Sequence, residues 1–278
     1  MTSESGLGTI APFGEQPVVS IEGVVMKLEA LLFDVDGTLA DTERDGHRVA
    51  FNQAFAGAGL DWEWSVELYA KLLAVTGGKE RILYYLENFN TEFKRPENLK
   101  DFISGLHQSK TRHYTDLLNT GAIPLRPGVL RLLTEAKAAG LRLAISTTTT
   151  PANVSALLKN TLGEDGESWF EVIAAGDIVP AKKPAPDIYT YAMEQMNLPP
   201  EACIAFEDSE NGIRSSQGAK LKTIITVNGY TEEHDFDGAV IVLDSFGEPD
   251  ASFKVLKGDG HDKSYLDIEL VKQLHQQS

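Results

Sequence analysis

The sequence predicts a doubly wound α/β core, a parallel sheet covered by helices on both faces, with a helical domain inserted after the first strand. Three observations carry this. From residue 128 onward, short apolar runs alternate with segments of helical spacing, the pattern of right-handed βαβ units. Between residues 48 and 119 that alternation stops and only helix-like stretches occur. Finally, the apolar run Ala30-Leu31-Leu32-Phe33 is followed at once by Asp34-Val35-Asp36-Gly37. That reads as a buried strand ending in two carboxylates.

The elements follow in order. The first strand is the run at 30–33, and the insertion carries helices over 49–57, 66–73, 79–89 and 99–118. Residues 128–139 have helical spacing and stop at Gly140, a residue suited to the left-handed position past a helix end. A strand at 141–145 precedes a helix over 151–159 that carries Pro151 in its first turn, where its missing N–H costs nothing. Next come a strand at 172–175, an amphipathic helix at 187–196, a strand at 203–206, a helix at 211–217 and a strand at 223–227. Residues 240–243 are expected to be the last strand, and beyond 245 the chain is polar and weakly patterned, apart from a short helix near 265–275. The division is therefore a loose extension (1–27), a core (28–47 and 120–247), a helical insertion (48–119) and a tail (248–278).

Bulk properties narrow the function. A chain of 278 residues that is 42% hydrophobic can bury a large core and a smaller domain. The 41 acidic residues outnumber the 25 basic ones, for a net charge of -16, which disfavours nucleic acid or an anionic membrane as partner. An anionic substrate must then be held by local groups. The one cysteine, Cys203, lies in an apolar run. It reads as a packing residue and leaves no internal disulfide, in keeping with a reducing compartment. No apolar segment approaches the roughly 20 residues that span a bilayer. The first 25 residues lack the basic and apolar regions of a signal peptide. A cytoplasmic protein, monomeric or weakly oligomeric, is expected.

Ligands of open α/β sheets bind where the strands end. Asp34 and Asp36 are two residues apart, so their side chains point the same way. Two such charges need a neutralising partner, and Mg²⁺, which prefers oxygen ligands, suits them. The second strand is followed by Ser146-Thr147-Thr148-Thr149-Thr150, the third helix is preceded by Lys182-Lys183-Pro184, and the fourth strand is followed by Glu207-Asp208. These are the parts for phosphoryl transfer to a carboxylate. One carboxylate attacks phosphorus. A second protonates the leaving oxygen and then activates water. A lysine and hydroxyl or amide donors stabilise the equatorial oxygens.

The segments Asp34-Val35-Asp36-Gly37-Thr38, the threonine after the second strand, Lys183-Pro184 and Glu207-Asp208 resemble the four signature motifs of the haloacid dehalogenase superfamily, in the right order. The stretch from Asp34 to Arg48 and the segment Thr76-Gly77-Gly78-Lys79-Glu80-Arg81 look like those of CbbY-type phosphatases. The likeness covers about residues 28–242. It implies a Rossmann-like core, a helical cap over the active site and a sugar-bisphosphate substrate, notably xylulose 1,5-bisphosphate.

Position by position, the resemblance makes Asp34 the nucleophile and an Mg²⁺ ligand. It makes Asp36 the general acid/base, ligating Mg²⁺ through its main-chain carbonyl. Thr147, with Thr148 beside it, would hold the transferring phosphoryl group; Thr147 is preferred to Ser146 because 142–146 complete the strand. Lys183, directly before proline, is preferred to Lys182 as the phosphate lysine. Asp208 would ligate the metal, and Glu207 would do so directly or through water. In the cap, Gly78 and Lys79 open a helix and would hold a distal phosphate, while Glu43 and His47 would contact sugar hydroxyls. Tyr69 and Arg81 are further cap contacts, and Trp62 and Trp64 are cap packing. The alternative reading is a β-phosphoglucomutase-like phosphotransferase. No motif residue is missing, as it would be in a non-catalytic relative. A response-regulator receiver is excluded because its acceptor follows the third strand.

Overall fold

A computed structural model describes residues 26–277. The expected extension at 1–27 therefore falls almost wholly outside the described residues. Strand β1 (Ala30–Phe33) is followed by a π-helical turn at Glu43–His47 and by four helices: α1 (Arg48–Gly57), α2 (Val66–Leu72), α3 (Gly78–Asn88) and α4 (Leu99–Asn119). The chain then runs through α5 (Val129–Ala138), β2 (Arg142–Thr147), α6 (Pro151–Leu162), β3 (Val172–Ala175) and α7 (Asp187–Met196). It ends with β4 (Cys203–Glu207), α8 (Glu210–Gly218), β5 (Lys222–Thr226), β6 (Ile241–Leu243), β7 (Val255–Gly258) and α9 (Ile268–Gln276).

Among the described residues the sheet has seven strands in the order β3-β2-β1-β4-β5-β6-β7. The first six run parallel and β7 is antiparallel to β6. Strand β1 lies between β2 and β4, with Phe33 level with Ile145 and Phe206. The residues just past these three strands thus emerge side by side at one edge.

Alternation along the strands builds two cores. Leu31 and Phe33 face one side with Leu143, Ile145, Ile204 and Phe206; Ala30 and Leu32 face the other with Ala144, Ala205, Ile188 and Met193. Helix starts are capped as their sequences dictate: Ser65 accepts from the Leu68 amide and Thr150 from the Asn153 amide. The insertion has its own core of Phe51, Phe55, Trp62, Trp64, Tyr69, Ile82, Leu86 and Leu106. Both tryptophans pack there, with Trp64 between Phe51 and Phe55.

The C-terminal segment corrects the sequence reading. The sheet does not end at 240–243: β7 adds an antiparallel edge strand, and α9 buries Leu270, Val271 and Leu274 in the main core. Strand β7 is exposed on both faces, so it has no apolar alternation to read. The helix near 265–275 is present as α9, capped by Asp267, which accepts from the Leu270 amide at 2.7 Å.

Candidate active site

Strand geometry brings four distant motifs together. The Lys183 ammonium sits between two carboxylates, 2.6 Å from Asp34 Oδ1 and 2.6 Å from Glu207 Oε1. Tyr189, on the first turns of α7, donates to the same Glu207 oxygen at 2.6 Å. Burial alone would lower the ammonium's pKa, but Asp34 and Glu207 outweigh it and raise it. Lys183 is therefore a fixed positive charge at the floor of the site.

Asp34, Glu207 and Asp208 each place a carboxylate oxygen within 4.8 Å of the others. Burial pushes the Asp34 carboxyl up to about 7, against the pull of Lys183, and neighbouring Glu207 and Asp36 push the same way. Burial also raises Asp208, with Asp34 and Glu207 adding to the shift. One ammonium does not neutralise three clustered acids. A hard divalent cation matches both the deficit and the all-oxygen donor set. Asn228 donates to Asp208 Oδ2 at 2.6 Å and holds its orientation. Gly37 has φ of 86° and a Cβ there would collide with the Asp208 carboxylate and Asn228. Only glycine lets the β1 loop pass this close.

Asp36 turns to a different set of partners. Its Oδ1 accepts from Thr42 Oγ1 at 2.5 Å and lies 2.8 Å from His47 Nε2. His47 Nδ1 lies 2.6 Å from the Lys110 ammonium, and the imidazole packs against Tyr114, tilted by 34° with centroids 4.1 Å apart. Burial works to raise the Asp36 carboxyl, but His47, Thr42 and Lys110 hold it below the usual carboxylate range. Burial pushes Lys110 down to about 8. The two motif acids, two residues apart, thus sit among different partners, Asp34 with Lys183 and the Glu207–Asp208 acids and Asp36 with His47 and Thr42.

Arg126 ties the loops behind the site together. Its guanidinium donates to the carbonyls of Gly37, Thr226 and Val227 and, at 2.9 Å, to that of Asp244. The segments following β1, β5 and β6 are held by this one side chain.

Between cap and core lies a cavity of about 470 Å³ whose wall includes Asp36, Glu43, His47, Gly78, Lys79 and Lys110. Thr148, Thr149, Thr150, Pro151 and Asn153, leading into α6, lie on the same cavity. Thr147 ends β2 with its Oγ1 accepting from the Thr149 amide at 3.3 Å. It lines a second, adjoining pocket with Asp34, Lys183 and Asp208. A Cβ on Gly78 would strike the His107 ring, so glycine lets α3 approach α4. Burial and nearby Lys110 push His107 down to about 3, leaving a neutral ring between the cap lysines.

Two expectations are modified. Glu43 lines the cavity, but its Oε2 is engaged by the Tyr69 hydroxyl at 2.5 Å, with Arg81 at 3.9 Å; Tyr69 is a buried support of Glu43, while Arg81 also lines both pockets. His47 reaches the cavity bonded to Asp36 and Lys110 rather than with free nitrogens. The sequence reading missed Lys110, Tyr189, Asn228 and Arg126. Nothing local distinguishes them, although a lysine inside the apolar spacing of α4 is an anomaly that could have flagged Lys110.

A family described as haloacid dehalogenase-like hydrolases matches residues 28–220. The protein CbbY of Cupriavidus necator is 47% identical over 222 residues, spanning 80% of this chain and 87% of its own. CbbY of Rhodobacter capsulatus is 51% identical over 214 residues, spanning 77% and 92%. Among solved structures, a CbbY variant from Rhodobacter sphaeroides in complex with xylulose 1,5-bisphosphate superposes with TM-score 0.73 at 47% identity, covering 78% of this chain and 94% of that one. A β-phosphoglucomutase from Clostridium difficile shares the fold, with TM-score 0.63 at 24% identity.

Proposed function

As a member of the haloacid dehalogenase-like hydrolases, this chain is a phosphatase, and we propose that it hydrolyses one phosphomonoester of a sugar bisphosphate, xylulose 1,5-bisphosphate or a close analogue, through an aspartyl phosphate on Asp34. The observation that carries the reading is the divided pair: Asp34 beside Lys183 and the Glu207–Asp208 acids, Asp36 beside His47 and Thr42. The likeness to a CbbY bound to xylulose 1,5-bisphosphate supports the substrate class.

In this mechanism an Asp34 carboxylate oxygen attacks phosphorus while Asp36 protonates the departing sugar oxygen. Water then attacks the acyl phosphate, with Asp36 taking its proton, and Asp34 is released. Lys183 and the hydroxyl of Thr147, with the amide of Thr148, stabilise the phosphoryl oxygens. Asp34, Asp208, the main-chain carbonyl of Asp36 and Glu207, directly or through water, would hold Mg²⁺. When bound, the ion supplies charge neutralisation between the carboxylates and the phosphoryl group. The cap excludes water and reads the rest of the substrate. Lys79 and the amides at the start of α3 would take the distal phosphate.

The test is phosphate release from pentulose and hexose mono- and bisphosphates with Mg²⁺. Xylulose 1,5-bisphosphate should be the preferred substrate, and EDTA should remove activity until Mg²⁺ is returned. Isomerised sugar phosphate without free phosphate would instead identify a phosphotransferase. Lys79→Ala should raise KM for the bisphosphate by about tenfold or more while leaving monophosphate KM nearly constant, the size of one charge-assisted contact. Equal changes for both substrates would refute the distal-phosphate assignment.

A further inference from the structure

The wall of the large cavity carries a chain of ion pairs that joins cap to core. Lys79, at the start of α3, donates to Asp177 Oδ2 at 2.6 Å. Asp177 lies two residues past β3, in the core. Its other oxygen is 3.0 Å from the Lys182 ammonium. Lys182 reaches back to the cap, 3.0 and 3.1 Å from the two oxygens of Glu80. Lys79, Asp177 and Lys182 all line the large cavity. The Asp177 side chain is 60% exposed whereas that of Lys182 is 16% exposed. Lys182 is thus set in the wall, Lys79 is 39% exposed, and the carboxylate between them is the most exposed of the three.

We propose that Asp177 is an internal anion that holds the Lys79–Lys182 pair in place and is displaced by the non-reacting phosphate of the substrate. This rests on the distal-phosphate reading above and adds a specificity-determining residue to it. The chemistry favours exchange. A carboxylate offers one negative charge and two oxygens to the two ammonium groups. A phosphate monoester offers nearly two charges and three oxygens. Solvent-exposed ion pairs are individually weak, so a dianion displaces Asp177 readily. A neutral hydroxyl, the group a monophosphate presents at that end, does not. Asp177 therefore sets a threshold that only a strongly anionic distal group passes, a repulsive element added to an attractive one.

Because the carboxylate competes with bisphosphate alone, Asp177→Asn should lower the ratio of KM for xylulose 1,5-bisphosphate to KM for the more reactive of its two monophosphates. The expected fall is about fivefold, the loss of two exposed ion pairs. Asp177→Glu, which keeps the carboxylate, should keep the ratio near wild type. In a Lys79→Ala background the gain from Asp177→Asn should shrink, since half of the cation pair is gone. A ratio that stays constant or rises in Asp177→Asn overturns the exchange, as does an equal fall in Asp177→Glu. If Lys79→Ala alone is selective for the bisphosphate while Asp177→Asn has no effect, the distal-phosphate reading stands and the exchange is refuted. If Lys79→Ala weakens both substrates equally, both are refuted.

Discussion

Asp34→Asn should abolish turnover, with kcat reduced by about 10⁵-fold or more, the scale on which loss of a covalent nucleophile acts. The amide is nearly isosteric with the carboxylate and can still accept from Lys183, whose ammonium lies 2.6 Å from Asp34 Oδ1. The fold should persist, and thermal melting should show a cooperative transition near that of the unmodified protein. A drop of that size corresponds to about 7 kcal/mol of transition-state stabilisation, far beyond what one surface contact supplies. The variant removes one of three clustered acids, so the decisive arm is measured at saturating Mg²⁺. Acid-quenched enzyme incubated with labelled substrate should carry phosphate in the unmodified protein and none in Asp34→Asn. A variant that retains a few per cent of kcat would sink the covalent mechanism.

The second large effect falls on the proton shuttle. Asp36→Asn should lower kcat by about 10³-fold for a sugar phosphate, within the range for general acid/base groups. For p-nitrophenyl phosphate, whose leaving group departs without a proton, the first step should be much less affected. Dephosphorylation then limits the rate, because the variant cannot take the proton from water. Rapid-quench measurements should therefore show a burst of nitrophenol followed by slow turnover. A reduction in the burst rate as large as that in sugar phosphate cleavage would argue that Asp36 serves structure rather than proton transfer. The distinction is sharp because Asp36 also accepts from Thr42 and contacts His47, and losing the charge there disturbs the Lys110 side of the cap as well.

Much of this was legible in the sequence for a simple reason. Apart from Lys183, which precedes α7, each motif residue ends a strand or follows one closely, and strands are short apolar runs that period and composition reveal. Asp34, Thr147, Glu207 and Asp208 could be placed at one edge because parallel strands of one sheet end together. The cap helices announced themselves through apolar spacing, and Trp62 and Trp64 through their size. What could not be read was any contact made across the topology. Lys110 meets His47 over 63 positions and Arg126 meets Asp244 over 118, and no local pattern encodes such a meeting. Lys79 was legible as a cation at a helix start, but its partner Asp177, 98 positions on, was not. Strand β7 escaped because an exposed edge carries no burial signal.

The position of β1 also has a consequence for how the protein is made. Among the described residues it is the first strand in chain order and lies inside the parallel sheet, yet Ala30 pairs with Arg142 and Cys203. A growing chain therefore displays Asp34 long before either flanking strand exists. Lys183, which pairs with that aspartate, follows β2, and Glu207, which pairs with Lys183, comes only with the end of β4. Pairing over such separations requires large loops to close, and folding governed by distant contacts is slow. Hydrolytic competence should thus appear late and all at once during biosynthesis, and a ribosome stalled beyond the cap would hold a chain that carries Asp34 without the groups that surround it in the folded protein.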